Sequence, residues 1–405
     1  MGFAVCALRF YVEFQHLGTP VGDHVVVHQA FMQKDTSTTQ GQFLHSFDGL
    51  RGVAVVLVLL QHETFLAKKY LGLQFAGGVF GLGDFRIDIF FVLSGFFAAW
   101  VAGRGREAEN PGIHFLGRRL RRLLPLLWVL TSVKLLLMFS LDLPGRHEGM
   151  GWFQLLRSYT LLPAAGYPVI LPAWTLSFEL IFCAVWSVLL CFRQRIRLVA
   201  MGLWVLGIVA YGMVHWRPSM SLPGFAMHPY FLDFIAGVLL AEMALFRTIK
   251  LRGSMIMGIG GALLVMAMAL QPELKDDSEL ARRIVWGGAA FVMVVGLFVW
   301  EGQRGDFVMP RVLRLLARSS YSIYLTHSLV LYLAMKGLAA FSTHSWGTHL
   351  LLVALAAAAL GVGILVNRWV EVPLQRALIF LKARRRESLS PRKSGAQMTG
   401  RLSGD

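Results

Sequence analysis

Apolar stretches of about 17–24 residues recur along most of the chain, with short charged loops between them. A helix rising about 1.5 Å per residue needs roughly that length to cross a hydrocarbon core. Ten spans are predicted, at about residues 46–66, 83–102, 121–141, 172–192, 196–214, 225–246, 253–270, 283–301, 319–341 and 347–367. In lipid a spanning segment must satisfy its own backbone, so these segments are helices. The predicted fold class is all-α, a polytopic integral membrane protein. Lys and Arg test the count. One set of loops and tails carries 27 of them, the alternate set 9. An excess of the same sign at nearly every loop puts both termini in the cytoplasm, and an odd number of spans would scramble it.

Composition agrees. Of 405 residues, 56% are hydrophobic and 15% charged, with a mean hydropathy of +0.59, which excludes an ordinary soluble domain. The net charge of +16 does not point to nucleic acid, because the basic residues cluster between apolar spans and act as topology signals. Three cysteines, Cys6, Cys183 and Cys191, give neither a disulfide framework nor a metal-ligand spacing. No repeat of 20–50 residues and no cleavable signal is evident. Residues 1–42 show no clear period and read as a poorly ordered extension, with a native start near Met32. Residues 43–381 form the membrane domain. Residues 382–405, with Arg384-Arg385-Arg386 and a Ser/Pro/Gly-rich end, read as a disordered basic cytoplasmic tail.

Within this background a few polar residues stand out. Arg51 opens the first span and His62 follows eleven residues later, with no charge between them. That spacing is roughly 16 Å along a helix axis, so Arg51 rests at one headgroup layer while His62 hangs near mid-bilayer. Ionisable groups at that depth are costly and mark working sites. In the second span Asp88 needs a partner, either Arg86 or a neighbouring helix. Ser94-Gly95 suits close helix packing as well as a ligand. Arg118, Arg119, Arg121 and Arg122 run into the third span as a dense anion site. It suits coenzyme A phosphates, with anionic lipid headgroups as the alternative. The fourth span opens with Trp174, Ser177 and Glu179, predicted to lie toward the outer side. Glu179 either meets a sugar hydroxyl or pairs with a buried cation. The ninth span enters from the cytoplasm and carries Tyr324 and His327 on one face. His327 is either a hydrogen-bonded core residue or a wall of the site. Glu371 reads as a structural partner of an arginine.

These pieces, in order, resemble the acyltransferase 3 family of bacterial membrane O-acyltransferases. They are Phe47-Asp48-Gly49-Leu50-Arg51-Gly52 with His62, Asp88 through Phe96, Arg118 through Pro125, Trp174-Thr175-Leu176-Ser177 with Glu179, Ser320 through Leu325 with His327, and Glu371-Val372-Pro373. The likeness covers about residues 43–380. One departure is that Leu180 follows Glu179 where the family carries a second acid.

The resemblance implies transfer of an acyl group, commonly acetyl from acetyl-CoA, onto a hydroxyl of a cell-surface or lipid-linked carbohydrate. It implies a bacterial inner-membrane location. Acyl-CoA would be a co-substrate, with no metal and no permanently bound cofactor. On this scheme His62 is the general base, and Arg51 steadies the donor or oxyanion, oriented by Asp48 or Asp88. Arg118, Arg119 and Arg122 bind the donor. Asp88, Ser94, Trp174, Ser177, Glu179, Tyr324 and His327 bind the acceptor or support the site. Expected partners are membrane lipid, the two substrates, and polysaccharide-synthesis machinery or a second copy, without nucleic acid. A flippase for a lipid-linked sugar, or acylation of a small molecule, are the alternatives.

Overall fold

The computed structural model describes residues 45–82, 85–104, 110–140, 151–163, 166–217, 221–242, 250–271, 278–304, 308–339 and 346–389. The N-terminal extension, Cys6 and residues 390–405 of the tail lie outside them. The helices are α1 (His45–Leu71), α2 (Phe85–Arg104), α3 (Pro111–Ser140), α4 (Trp152–Thr160), α5 (Trp174–Leu189), α6 (Gln194–Val214) and α7 (Leu222–Ala226). They continue with α8 (Tyr230–Glu242), α9 (Gly253–Ala269), α10 (Glu279–Arg304), α11 (Arg311–Ala339), α12 (Trp346–Val366) and α13 (Val372–Leu389). Short 3₁₀ turns precede α2 and α5, and one turn of π-helix, Asn367–Glu371, follows α12. No strand occurs among the described residues.

This is the all-α polytopic membrane fold that the hydropathy pattern predicts. Among the described residues, eight stretches are long and apolar enough to cross a membrane by length and composition. The other two predicted spans are helices as well. One of them, α9, has 17 residues. The other, α11, has 29, but Ser, Tyr, His and Arg lower its hydropathy.

The chain divides into two units. One runs Asp35–Val372 and holds every candidate site residue. Of the other, the structure describes the helix from Pro373 to Leu389, where Arg384 stands over the Phe380 ring. Helix therefore replaces predicted tail as far as Leu389.

In the larger unit, α1 and α11 run parallel. Gly49 and Gly52 lie on Leu313, His62 meets His327, and Tyr70 meets Tyr332. Their levels match, since His62 is about 26 Å and His327 about 24 Å from the starts of their helices. Parallel packing agrees with the prediction that both enter from one side. A second parallel pair is α2 with α8. A Cβ on Gly95 would sit 2.0 Å from the Phe234 carbonyl oxygen, and one on Gly237 would sit 1.9 Å from that of Val92. Glycine at both positions lets the two backbones touch. Gly95 is thus a packing residue, while Ser94 beside it is half-buried. Around this crossing, Phe91, Phe178, Phe182, Phe231 and Phe234 form an aromatic core. Phe47, Phe96 and Phe298 tie α1, α2 and α10 together.

Candidate active site

The start of α1 brings Asp48 and Arg51 to one face, one helical turn apart, with the Arg51 guanidinium 3.8 Å from the carboxylate. The guanidinium also lies over the Phe97 ring. Charges from two other helices converge there. Arg122 and Arg119 of α3 and Glu179 of α5 all act on Arg51. Arg119 and Glu179 form an ion pair of 3.2 Å, both largely buried. Arg118 instead faces outward, with Arg121 and then Arg119 as its charged neighbours. The predicted anion site is therefore split, with Arg119 and Arg122 turned toward Arg51 and Arg118 on the exposed face.

Glu179 pairs with a buried cation, the second of its two predicted roles, and corrects only the predicted level of its segment. It does not line an outer mouth but sits at the level of the arginine block. The reason is register. Helices α3 and α5 pack antiparallel, with Gly112 on the Ser187 carbonyl and Arg119 opposite Glu179. Helix α5 also begins deep. The Tyr324 hydroxyl donates to the Pro172 carbonyl at 2.8 Å and lies 2.6 Å from Thr175 Oγ1. Trp174 packs on Tyr230 and Phe178, and Ser177 is buried one helical turn before Leu180.

Above this layer, Tyr324 is followed one turn later by His327, and His327 meets His62 with ring centroids 4.9 Å apart at 73°. Each imidazole has its Nδ1 on the carbonyl oxygen four residues back, Val58 for His62 at 2.9 Å and Ile323 for His327 at 3.0 Å. A carbonyl can only accept, so both Nδ1 atoms carry the proton and both Nε2 atoms are left with lone pairs. His327 is fully buried, whereas His62 is half-buried. Arg86 stands nearby, donating to Gln61 and to the Leu82 carbonyl, and its charge acts on His62.

Asp88 takes its partner from a neighbouring helix, one of its two expected sources, and of the two acids expected to orient Arg51 it is Asp48 that lies beside it. Asp88 does not orient Arg51. It forms a fully buried ion pair with Arg283 of α10 at 2.7 Å, and Asp233 of α8 is hydrogen-bonded beside it. Arg283 also covers the Tyr230 ring and lies 3.1 Å from Glu279. Arg283 and Asp233 escaped sequence reasoning. Arg283 looked like the last basic residue of a loop, and Asp233 lies in an apolar run. The available signal was that Asp88 demanded a cation from another helix. Glu371, read as an arginine partner, accepts hydrogen bonds from Ser322 and Asn367 at 2.5 and 2.8 Å. Among the described residues no group of three or more His, Cys, Asp or Glu could hold a metal ion.

The arrangement defines a polytopic membrane protein whose ionisable residues are gathered into a polar column inside the helix bundle. This chain belongs to the acyltransferase 3 family. The family's model, described as an acyltransferase domain, matches residues 44–368 and so encloses the whole column. Among curated relatives, the exopolysaccharide production protein ExoZ of Rhizobium meliloti is 28% identical over 64% of this chain and 80% of its own length. The peptidoglycan O-acetyltransferase OatA of Listeria monocytogenes is 23% identical over 85% of this chain, which spans 57% of that longer protein. The acyltransferase MdmB of Streptomyces mycarofaciens is 25% identical over 83% of this chain and 92% of its own length. No solved structure gives a significant match.

Proposed function

We propose that the protein is an inner-membrane O-acyltransferase that moves acetyl from acetyl-CoA onto a hydroxyl of a cell-surface polysaccharide, with His62 as general base. The observation that carries this reading is the protonation geometry of His62. Its Nδ1–H is fixed to Val58, so the bare Nε2 is the atom left to accept a hydroxyl proton, and the half-buried ring is reachable. Imidazole suits the task because it binds and releases a proton near neutral pH.

The donor would lie along the column. Its phosphates would face Arg118, Arg121 and Arg122, and Arg51 with Asp48 would orient the donor where its arm leaves the arginine layer. The long pantetheine arm covers the roughly 16 Å from the arginine layer to His62. The names of two relatives, one in exopolysaccharide production and one a peptidoglycan O-acetyltransferase, support a polysaccharide acceptor. Tyr324, Trp174 and Ser177 line the approach, while Asp88 and Glu179 act as structural supports through their arginines.

The test uses purified protein in liposomes, labelled acetyl-CoA and chemically deacetylated exopolysaccharide. His62→Ala should lower transfer by about 100-fold or more while the protein still accumulates in the membrane. Undiminished transfer by that variant refutes the base assignment. Absence of transfer by the wild type refutes the acyltransfer reading itself.

A further inference from the structure

We propose that His327 is a positioning residue for His62 and that the two imidazoles hold the transferred proton as a pair. This inference rests on the acyltransferase reading above and adds a second residue to its proton chemistry.

Four observations converge. The rings are in contact, at 4.9 Å between centroids, between two parallel helices that place them at one depth. Both Nδ1–H groups are fixed to helix carbonyls, so each ring offers Nε2 and nothing else. His327 Nε2 is buried and has no hydrogen-bond partner among the described residues. A buried acceptor left bare in a native site calls for a function. Finally, no carboxylate is hydrogen-bonded to His62 among the described residues, and the neighbouring charge is the cation Arg86. A His62 imidazolium formed near mid-bilayer thus arises in a costly place, beside a like charge, without the acid that usually steadies such a ring.

His327 supplies what that arrangement lacks. The acceptor O–H bond breaks and its proton passes to His62 Nε2 as the oxygen bonds to the thioester carbonyl carbon. The C–S bond then breaks, its electron pair goes to sulfur, and the thiolate takes the proton. The products are the ester and the CoA thiol, with no net proton gained or lost. Between the two transfers the proton is shared with His327 Nε2. Whichever ring carries the charge, a carbonyl oxygen behind its Nδ1–H is in place to strengthen with it, Val58 for one and Ile323 for the other.

The pH dependence of kcat tests the pair, using acetyl-CoA and deacetylated exopolysaccharide in liposomes. The charged and titratable groups beside the two rings are Arg86 and Tyr324, and both stay in place in the variants. A base that shares its proton with a second imidazole holds it more tightly, so the acid limb of the wild-type profile should lie at higher pH than in a protein with His62 alone. His327→Phe keeps an aromatic ring and His327→Gln keeps an acceptor, but neither can hold a proton. Both should lower kcat about ten-fold or more, change either KM less than about three-fold, and move the acid limb to lower pH. If the Phe variant fails to accumulate, the Gln variant carries the test. An acid limb that stays in place in both substitutions overturns the proposal. Full dependence on His62 with an unmoved limb removes the pair alone and leaves the base in place.

Discussion

Replacing Arg283 by methionine would strand two carboxyl groups in the middle of the bundle. Asp88 is 0% exposed, Arg283 1% and Asp233 3%, and they come from α2, α10 and α8. The 2.7 Å Asp88–Arg283 pair is therefore shielded from water, and the guanidinium balances the acid pair as well as covering Tyr230. Removing one partner of such a pair leaves an uncompensated buried charge, at a cost of about 3–5 kcal/mol. For a chain of this size that corresponds to a drop in Tm of roughly 5–10 °C. Tryptophan fluorescence of detergent-solubilised protein on heating would measure it. The second half of the reasoning is the coupling. Asp88→Asn combined with Arg283→Met should recover a large part of the loss, because it removes the stranded charge. A Tm for Arg283→Met within about 2 °C of wild type, or a double variant no more stable than the single one, would refute the account.

Three further outcomes follow from the same geometry. Gly95→Ala places a methyl 2.0 Å from the Phe234 carbonyl oxygen, so it should part α2 from α8, cost about 3 kcal/mol or more, and reduce accumulation in membranes; normal yield and Tm would contradict this. Glu63 is fully buried and neither of its carboxylate oxygens has a hydrogen-bond partner, so Glu63→Met should stabilise by about 1–3 kcal/mol, and a lower Tm would count against it. In kinetics with acetyl-CoA, Arg122→Gln should raise the donor KM about ten-fold with little change in kcat, whereas Glu179→Gln should lower it by releasing Arg119. A raised KM in the Glu179 variant would show that the Arg119–Glu179 pair builds the donor site rather than competing with it.

How far the sequence revealed this site depends on how local each feature is. Arg51 and His62 share one helix, so their depth and separation were legible from spacing alone. The contact between His62 and His327 was half legible. Parity of spans gave the two residues a common side of entry, and helical rise gave each a depth, but hydropathy does not say which helices are neighbours. Contacts fixed by helix pairing were not legible. Asp88 clearly required a cation, yet Arg283 is 195 positions away and resembles a loop residue. Glu179 was assigned to the wrong level because α5 begins below the surface, on the Tyr324 hydroxyl, and no composition signal marks a helix that starts inside the bundle. Amphipathic ends also blurred boundaries. Arg311, Arg314 and Arg318 look like a loop but occupy the first two turns of α11.

The charge balance of the column gives it a direction. In the arginine layer Arg51, Arg119 and Arg122 meet Asp48 and Glu179, with Arg118 and Arg121 beyond them on the exposed face. The layer is positive as it stands, and such a field draws an anion rather than a neutral alcohol. Around Asp88 the charges balance instead, because Asp88 and Asp233 are hydrogen-bonded and so share a proton, and with Glu279 they meet Arg282 and Arg283. On the proposed reading a polyanionic donor would thus be drawn to the arginine layer and not to the Asp88 cluster. The histidine pair lies roughly 16 Å along α1 from that layer, where on the proposed reading an uncharged hydroxyl could approach the donor's acyl carbon without competing for the arginines. Reversing the sign of the first layer should therefore reverse the preference for anionic donors before it affects the proton chemistry at His62.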